Sequence, residues 1–267
     1  MGESKRSEVL QYNATMWDRK VVSGSRWTIP VGSDEIAQAR AGEPQIVLTP
    51  QKKVPQNWLS NLKGKDVLML ASGGGQQTPI IAATGANVTV LDISPNQLER
   101  DQEVADREGL TIRTVEGSMD DLLMFDDESF DLIIHPCSNT FVPDVKPVWK
   151  ESARVLRVGG EMISGFCNPL IFVFDYKPMT EGKLVARFSI PYSDLADLPE
   201  DEIKAFAEME EAYCFGHTLA DLLGSQAAAG LHIVDLYEDY WGAGEFEAMD
   251  KHIASFIATR SRKCAKV

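Results

Sequence analysis

The chain has 267 residues, 44% of them hydrophobic and 25% charged, with a formal net charge of −14. That length suits one α/β domain with an elaborated cap and by itself would also allow two domains, and the acidic balance disfavours nucleic acid as a partner, because affinity for phosphate backbones comes from clustered Lys and Arg. No window approaches the ~18 continuous apolar residues of a membrane span and no signal-peptide core opens the chain, which predicts a cytoplasmic protein without a membrane partner.

Residues 1–60 do not read as a strand–helix unit. Tyr12, Trp17, Trp27 and Trp58 stand among polar residues, and Gly32, Pro44, Pro50 and Pro55 interrupt any long element, leaving one helix capped by Ser33 and closed by Gly42. Val67 to Leu70 is an unbroken apolar run, as expected of a strand buried on both faces in a parallel sheet, and Gly73 to Gly75 follow it. Thr78 and Pro79 open a helix that Gly85 stops. Glycines let a flat ligand approach the backbone, and a helix N-terminus offers N–H groups to an anion, so this stretch reads as a nucleotide-type pocket. A plain tight connection is the competing reading.

Val88 to Leu91 forms a second strand ending at Asp92, and Ser94 with Pro95 opens a helix on Leu98, Val104 and Ala105 that Gly109 stops. An acid about 20 residues past the glycines is placed to hold both hydroxyls of a ribose, the alternative being a helix-flanking charge. Thr111 to Val115 is a third strand, after which Ser118, Asp120 and Asp121 can cap a short helix closed by Phe125. The string FDLIIH, Phe130 to His135, is a fourth, with Pro136, Cys137, Ser138 and Asn139 beyond its tip. Ligands of doubly wound sheets sit past the carboxyl ends of the strands, which puts His135 in the right neighbourhood.

Asp144 to Leu156 has helical spacing in Val145, Trp149, Ala153 and Leu156, and Arg157 to Gly160 separates it from a strand over Glu161 to Phe166. Aromatics at Phe172, Phe174, Tyr176, Phe188 and Tyr192 precede an acidic helix around Glu200 to Glu211, read as a solvated face. His217 to Ala229 is a last helix capped by Gly230, followed by strands over Leu231 to Tyr237 and Ile253 to Arg260. Cys137, Cys167, Cys214 and Cys264 show neither a C-x-x-C pair nor a His at ligand spacing, so no metal is expected and the thiols read as reduced and mostly buried.

A dinucleotide fingerprint Gly-x-Gly-x-x-Gly would put its last glycine at Thr78, whereas Ala71, Gly73 and Gly75 fit alternating small residues at spacing two. With this loop in VLMLASGGG, Asp92, FDLIIH and the run VLRVGGEM, the chain resembles the class I, doubly wound, S-adenosylmethionine-dependent methyltransferases, especially their small-molecule branch. The likeness covers about residues 62 to 166 and again the C-terminal part. It implies an α/β fold with a doubly wound, mostly parallel seven-stranded sheet, the Rossmann-like methyltransferase fold. The implied parts are an N-terminal cap segment (1–60), a cofactor-binding core (61–167), a substrate-cover insertion (168–216) and a C-terminal completion of the sheet (217–267).

The implied activity is in-line methyl transfer from S-adenosylmethionine to a small soluble acceptor. The cofactor contacts carried over are Ala71, Ser72, Gly73, Gly75, Gln77, Asp92, Ile93, Gln97, Ser118, Met119 and His135, with Ser118 and Met119 at the adenine and Asp120 as a substitute acceptor. One tryptophan of the cap is expected to line the pocket, because aromatic faces attract a sulfonium cation. For a hydroxyl acceptor His135 is the first candidate base, with Tyr12 and His217 behind it.

Departures from the family pattern sharpen the questions. Met69 stands where an acid usually holds the cofactor's amino group, leaving the methionine end to Gln76, Gln77, Tyr12 or main-chain carbonyls. Ala71 replaces the first glycine and is expected to keep the turn with a negative φ. The sequence His135-Pro136-Cys137-Ser138 lacks the Asn/Asp-Pro-Pro-aromatic pattern of enzymes that methylate planar amino groups, so adenine and cytosine acceptors lose support. A nicotinamide-dependent oxidoreductase and a non-catalytic cofactor-binding module are the two competing readings.

Overall fold

The computed structural model describes residues 2–242, 244 and 246–265. Its elements in chain order are helices α1 (Glu3–Val22) and α2 (Ser33–Arg40), strand β1 (Asp66–Leu70), α3 (Gln77–Ala83), β2 (Asn87–Asp92), α4 (Pro95–Glu108), β3 (Ile112–Glu116), β4 (Phe130–His135), α5 (Lys146–Val155) and β5 (Leu156–Cys167). Then come α6 (Tyr176–Thr180), β6 (Tyr192–Ser193), α7 (Asp194–Asp197), α8 (Glu200–Glu208), β7 (Phe215–Gly216), a π-helical turn (Ala220–Gly224), α9 (Ser225–Ala228), β8 (Leu231–Asp239), α10 (Glu247–Asp250) and β9 (Phe256–Lys263).

Seven strands form one sheet in the order β3-β2-β1-β4-β5-β9-β8 among the described residues. Strands β1 to β5 run parallel, and β9 lies antiparallel to both β5 and β8. Because β2 sits on one side of β1 and β4 on the other, the order reverses between β1 and β4, and a crevice opens beyond their carboxyl ends. The apolar run of β1 is fully buried because successive side chains alternate between two cores. Val67 and Met69 join Ile36, Ile81, Val104 and Ile134 on one face, while Leu68 and Leu70 join Ile133, Trp149 and Phe166 on the other. Met69 is thereby an apolar core residue, 0% exposed, and a carboxylate here would be a buried charge without a partner.

Three elements differ from the sequence reading. A 20-residue helix, α1, occupies a segment expected to lack long elements. Its buried stripe includes the polar Asn13, whose Nδ2 donates to the Phe141 and Tyr213 carbonyls at 3.0 and 3.1 Å, contacts 128 and 200 residues away. The short helix expected before Phe125 is a pair of turns, because Arg154 donates to the Leu122 and Phe125 carbonyls at 2.8 and 2.9 Å and takes acceptors a helix would use. The expected helix over His217 to Ala229 is shortened to the π-helical turn and α9, where Thr218 Oγ1 accepts the Asp221 N–H at 3.0 Å and Trp149 Nε1 donates to the Asp221 carbonyl.

The boundaries of β5 and β9 also move. The former begins at Leu156, paired with Phe130, and the latter runs to Lys263. Between α2 and β1 an irregular strap crosses the sheet end, its Leu48 carbonyl accepting the Cys137 N–H at 3.0 Å. Cys137, Cys167 and Cys214 are half-buried and Cys264 is exposed, a shallower placement than expected, and all four are free. No helix among the described residues is long and apolar enough to cross a membrane, and no group of three or more His, Cys, Asp or Glu among them could hold a metal ion.

Candidate active site

At the tip of β1 the chain turns sharply through Ala71, with φ of 48°, then Gly74 at 107° and Gly75 at 71°. The positive φ of Ala71 corrects the expectation of a negative one. Such a conformation costs an alanine about 1 to 2 kcal/mol, and two bonds fix it: the Ala71 N–H donates to the Leu91 carbonyl at 2.8 Å, and Ser138 Oγ donates to the Ala71 carbonyl at 2.7 Å. Ser138 thus ties the β4 tip to the β1 tip.

The three glycine N–H groups point at the protein, not at solvent. Gly73 donates to Asp92 Oδ2 at 2.9 Å, Gly74 to the Gln97 carbonyl at 2.9 Å and Gly75 to Asp101 Oδ1 at 3.1 Å. A Cβ on Gly73 would lie 2.7 Å from Gln97 Cβ and 3.0 Å from Asp92 Oδ2, so only glycine fits. These N–H groups are therefore not a cradle for an anion, which removes the pyrophosphate-binding role a dinucleotide cofactor requires.

Asp92 faces the same loop from β2. Its Oδ1 accepts the Ser94 N–H at 3.0 Å, and burial, only partly offset by hydrogen bonds from the Ser94, Gly73 and Ile93 N–H groups, pushes its carboxyl up to about 6. The carboxylate lines a cavity of about 830 Å³ and retains lone pairs for further donors. Two oxygens beside it, Ser72 Oγ and Gln97 Oε1, are buried without a hydrogen-bond partner, and both residues line the same cavity. Unsatisfied buried oxygens around a carboxylate fit a ligand rich in hydroxyl and amine donors, as a nucleoside with an amino acid attached is.

Of the residues singled out from the sequence, Ala71, Ser72, Gly73, Gln77, Asp92, Ile93, Gln97, Ser118 and Met119 converge on this cavity. Gln77 also accepts the Val47 N–H at 3.0 Å, holding the strap. Gly75 lies behind the loop, where a Cβ would meet the Arg100 carbonyl at 2.7 Å, and shapes the turn without lining the cavity. Asp120 is turned away, clamped by Arg6 at 2.6 Å and hydrogen-bonded to Ser118 Oγ.

His135 is a correction. It is 0% exposed and does not line the cavity, because the two-residue period of β4 sends its ring to the same face as Ile133, beside Trp149 at 6.1 Å. Nδ1 donates to the Leu70 carbonyl at 2.8 Å and Nε2 faces Asn139 Nδ2 at 3.3 Å. Burial holds its pKa down to about 4, so the ring is neutral, structural and out of reach of a cofactor or acceptor.

The candidates behind it fare no better. His217 Nε2 donates to the Asn139 carbonyl at 2.9 Å, and Tyr12 stacks on Tyr213 at 4.0 Å; neither lines the cavity. Replacing His135 with alanine is expected to cost about 2 to 4 kcal/mol in urea unfolding. Affinity of the folded variant for the cofactor should stay within about threefold, well under 1.4 kcal/mol.

The structure supplies more wall than the one cap tryptophan expected from the sequence. Trp17 and Trp27 both line the cavity, whereas Trp58 is a core residue whose Nε1 donates to Asp235 at 3.0 Å. Trp241 closes the same side from beyond β8, and Arg26 lies between Trp27 and Trp241 with its guanidinium carbon 4.3 and 4.9 Å from the ring centroids. The adjacent Arg26-Trp27 pair was a usable signal for a cation held near the loop. Helix α1 is fastened over the loop by Asp18 Oδ1, which accepts from Ser94 Oγ at 2.6 Å and the Asn96 N–H at 3.1 Å. The cavity wall also carries Phe172, Phe188, Tyr192, Phe206 and Phe246, and Asp194 joins this lining through the Tyr192 hydroxyl.

A glycine turn folded onto a strand-tip carboxylate, sharing one cavity with an aromatic wall, defines an α/β enzyme that pairs a nucleoside-type cofactor with a second small ligand. Residues 68–164 match the family described as Methyltransferase domain. Over 255 residues the chain is 49% identical to the uncharacterized methyltransferase YbaJ of Bacillus subtilis, an alignment spanning 96% of this chain and 98% of that protein. The S-adenosylmethionine dependent methyltransferase of Mesorhizobium loti shares the fold with a TM-score of 0.60 at 17% identity, over 78% of this chain and 94% of that one. The 1,6-didemethyltoxoflavin-N1-methyltransferase of Burkholderia thailandensis does so with a TM-score of 0.58 at 16% identity, over 97% and 91%.

The chain belongs to the methyltransferases, and its fold is the one seen in S-adenosylmethionine dependent members.

Proposed function

We propose that this methyltransferase acts on a small, largely apolar acceptor held in the aromatic chamber, in the cytoplasm where its thiols stay reduced. The observation that carries this is the single cavity of about 830 Å³ lined both by the glycine turn with Asp92 and by Phe172, Phe188 and Tyr192. That volume lies within the ~300–1,000 Å³ of small-ligand sites.

In this reading Asp92 holds the ribose hydroxyls, Gly117, Ser118 and Met119 border the adenine, and Ser72 and Gln97 supply the acceptors that are unsatisfied in the free protein. Arg26, which has no carboxylate partner among the described residues, holds the methionine carboxylate of S-adenosylmethionine, the methyl donor in this reading. Bound there, the cofactor supplies an electrophilic methyl on a sulfonium. The aromatic walls contribute about 0.5 to 2 kcal/mol of attraction for that cation. Residues 1–60 act as the cap and residues 168–216 as the acceptor cover, and together they exclude water. Alignment and desolvation of this kind account for about 7 to 11 kcal/mol of barrier lowering, more than the ~10²–10⁴-fold of a positioned base, so the loss of His135 from the reaction is affordable.

The test is incubation with isotopically labelled S-adenosylmethionine and a metabolite extract. A product heavier by one labelled methyl is expected, together with calorimetric binding of S-adenosylhomocysteine and none of NADH. Binding of NADH in place of S-adenosylhomocysteine would sink the reading.

Affinity should also depend on pH. In the free protein the raised pKa of Asp92 means that its protonated form favours the fold below the ordinary value of 3.8, a contribution lost as pH rises through about 6. Hydroxyl donors need the carboxylate, so S-adenosylhomocysteine affinity is expected to be flat above pH 7 and to fall toward about tenfold per unit below pH 6. Calorimetry from pH 5 to 8 reads this directly, and a flat profile through pH 5 would detach Asp92 from the ribose.

A further inference from the structure

The acceptor end of the cavity carries a charge arrangement that selects one class of ligand. Tyr192 is stacked on Phe172 at 5.5 Å and 22° and contacts Phe188 at 5.0 Å, and its hydroxyl donates to Asp194 Oδ1 at 2.8 Å. Asp194 Oδ2 accepts the Cys214 N–H at 2.6 Å. The carboxyl is half-buried in this aromatic wall and raised above the usual carboxylate range by burial first, with Asp197 adding to the rise and no cation opposing it.

The cations that share the chamber are engaged elsewhere. Lys20 pairs with Glu211 at 2.8 Å, and Arg187 pairs with Glu202 at 2.7 Å and Asp175 at 3.3 Å. Arg26 is held between Trp27 and Trp241, and no hydrogen bond or ion pair joins it to Asp194 among the described residues. A half-buried carboxylate with no positive partner among the described residues bears part of the cost of desolvating its charge, which a cationic ligand offsets. The three candidate head groups separate on this ground. An anionic head finds no cation paired with Asp194 among the described residues and meets its charge, and a hydroxyl adds one neutral hydrogen bond. An ammonium cancels the buried charge and gains the faces of the surrounding rings.

We propose that the chamber recognises a hydrophobic amine, its ammonium seated on Asp194 within the wall formed by Phe172, Phe188 and Tyr192. The proposal rests on the methyltransferase reading only in taking this chamber as the acceptor site. Asp194 fixes the head group, and the apolar remainder of the chamber takes the hydrophobic body.

The experiment titrates the intact protein, with and without S-adenosylhomocysteine, with phenethylamine, 2-phenylethanol and phenylacetate, which share a ring and differ in the head. Phenethylamine is expected to bind at least about tenfold tighter than the alcohol, with phenylacetate weakest. Asp194→Asn should bring the amine down to the level of the alcohol on the same variant, with S-adenosylhomocysteine binding read in the same samples as the control. Tyr192→Phe should keep the amine preference, since it removes a competing donor and leaves the carboxylate.

Equal or tighter binding of the alcohol or the acid, no binding of any probe, or an amine preference that survives Asp194→Asn would each overturn the proposal. If Asp194→Asn does not fold, the comparison of the three probes on the unmodified protein still decides. S-adenosylhomocysteine binding is read in the same samples, so loss of the amine preference strikes this proposal alone, whereas absent S-adenosylhomocysteine binding strikes the methyltransferase reading.

Discussion

Asp92→Ala is expected to weaken S-adenosylhomocysteine binding by about two to three orders of magnitude while leaving the fold intact. Two hydroxyl donors on one carboxylate are charge-assisted hydrogen bonds worth about 1.5 to 3 kcal/mol each, so their joint loss is about 3 to 5 kcal/mol at roughly 1.4 kcal/mol per tenfold. The same change should shift apo stability at pH 8 by less than about 1 kcal/mol, because two terms offset. Removing a carboxyl whose burial raises its pKa to about 6 relieves a penalty of roughly 3 kcal/mol, while the Gly73 and Ser94 N–H groups lose an acceptor at about 1 to 1.5 kcal/mol each.

Asp92→Asn is not a gentle alternative. Both carboxylate oxygens accept backbone N–H groups, and an amide offers one oxygen, so either Gly73 or Ser94 would face an NH₂ group. Asparagine should lose nearly as much affinity as alanine. A variant that melts normally and binds S-adenosylhomocysteine as the unmodified protein does would place the ribose elsewhere.

The parts of this site that could be read from sequence are those written in backbone terms. The apolar runs of β1, β2 and β4, the Ser94 cap and the Gly109 stop at φ of 64° are local signals, and the structure places them where the pattern does. Asp92 was legible for the same reason, since a strand tip and a glycine turn about 20 residues earlier must meet in a βαβ unit. His135 shows the limit of that reasoning. Its address at the tip of β4 is visible in FDLIIH, but which face its ring takes depends on strand register, and register sends it toward Trp149.

The helix α1 was illegible for a different reason. It buries Val9, Asn13, Met16 and Val21, a thin stripe that a periodicity count does not separate from its polar neighbours, and it is held by Asn13, Asp18 and Arg6 bonding to residues far along the chain. The roles proposed for Arg26 and Asp194 come from what surrounds them. An arginine becomes a candidate anion holder when two indoles flank it, and an aspartate a candidate cation site when every nearby lysine and arginine is engaged elsewhere. Neither condition is a property of the local sequence.

Gly165→Ala is expected to lower stability by about 2 to 4 kcal/mol, an unusually large effect for one methyl group. Gly165 sits in β5 opposite Ala258, and a Cβ there would lie 2.1 Å from the Leu48 carbonyl oxygen and 2.8 Å from its carbon. Those atoms are backbone, so no rotamer change relieves the clash and the strap itself must lift. Lifting it breaks the hydrogen bond from the Cys137 N–H to the Leu48 carbonyl and disturbs Leu48, Thr49 and Pro50, which line the cavity. S-adenosylhomocysteine affinity should therefore fall along with the melting temperature. Gly224→Ala separates this cause from a general intolerance of glycine replacement. A Cβ at Gly224 meets nothing within 4 Å and its φ is helical at −63°, so that variant should be neutral or gain up to about 1 kcal/mol. If both variants melt alike, the contact of the strap with β5 is not what holds this side of the cavity closed.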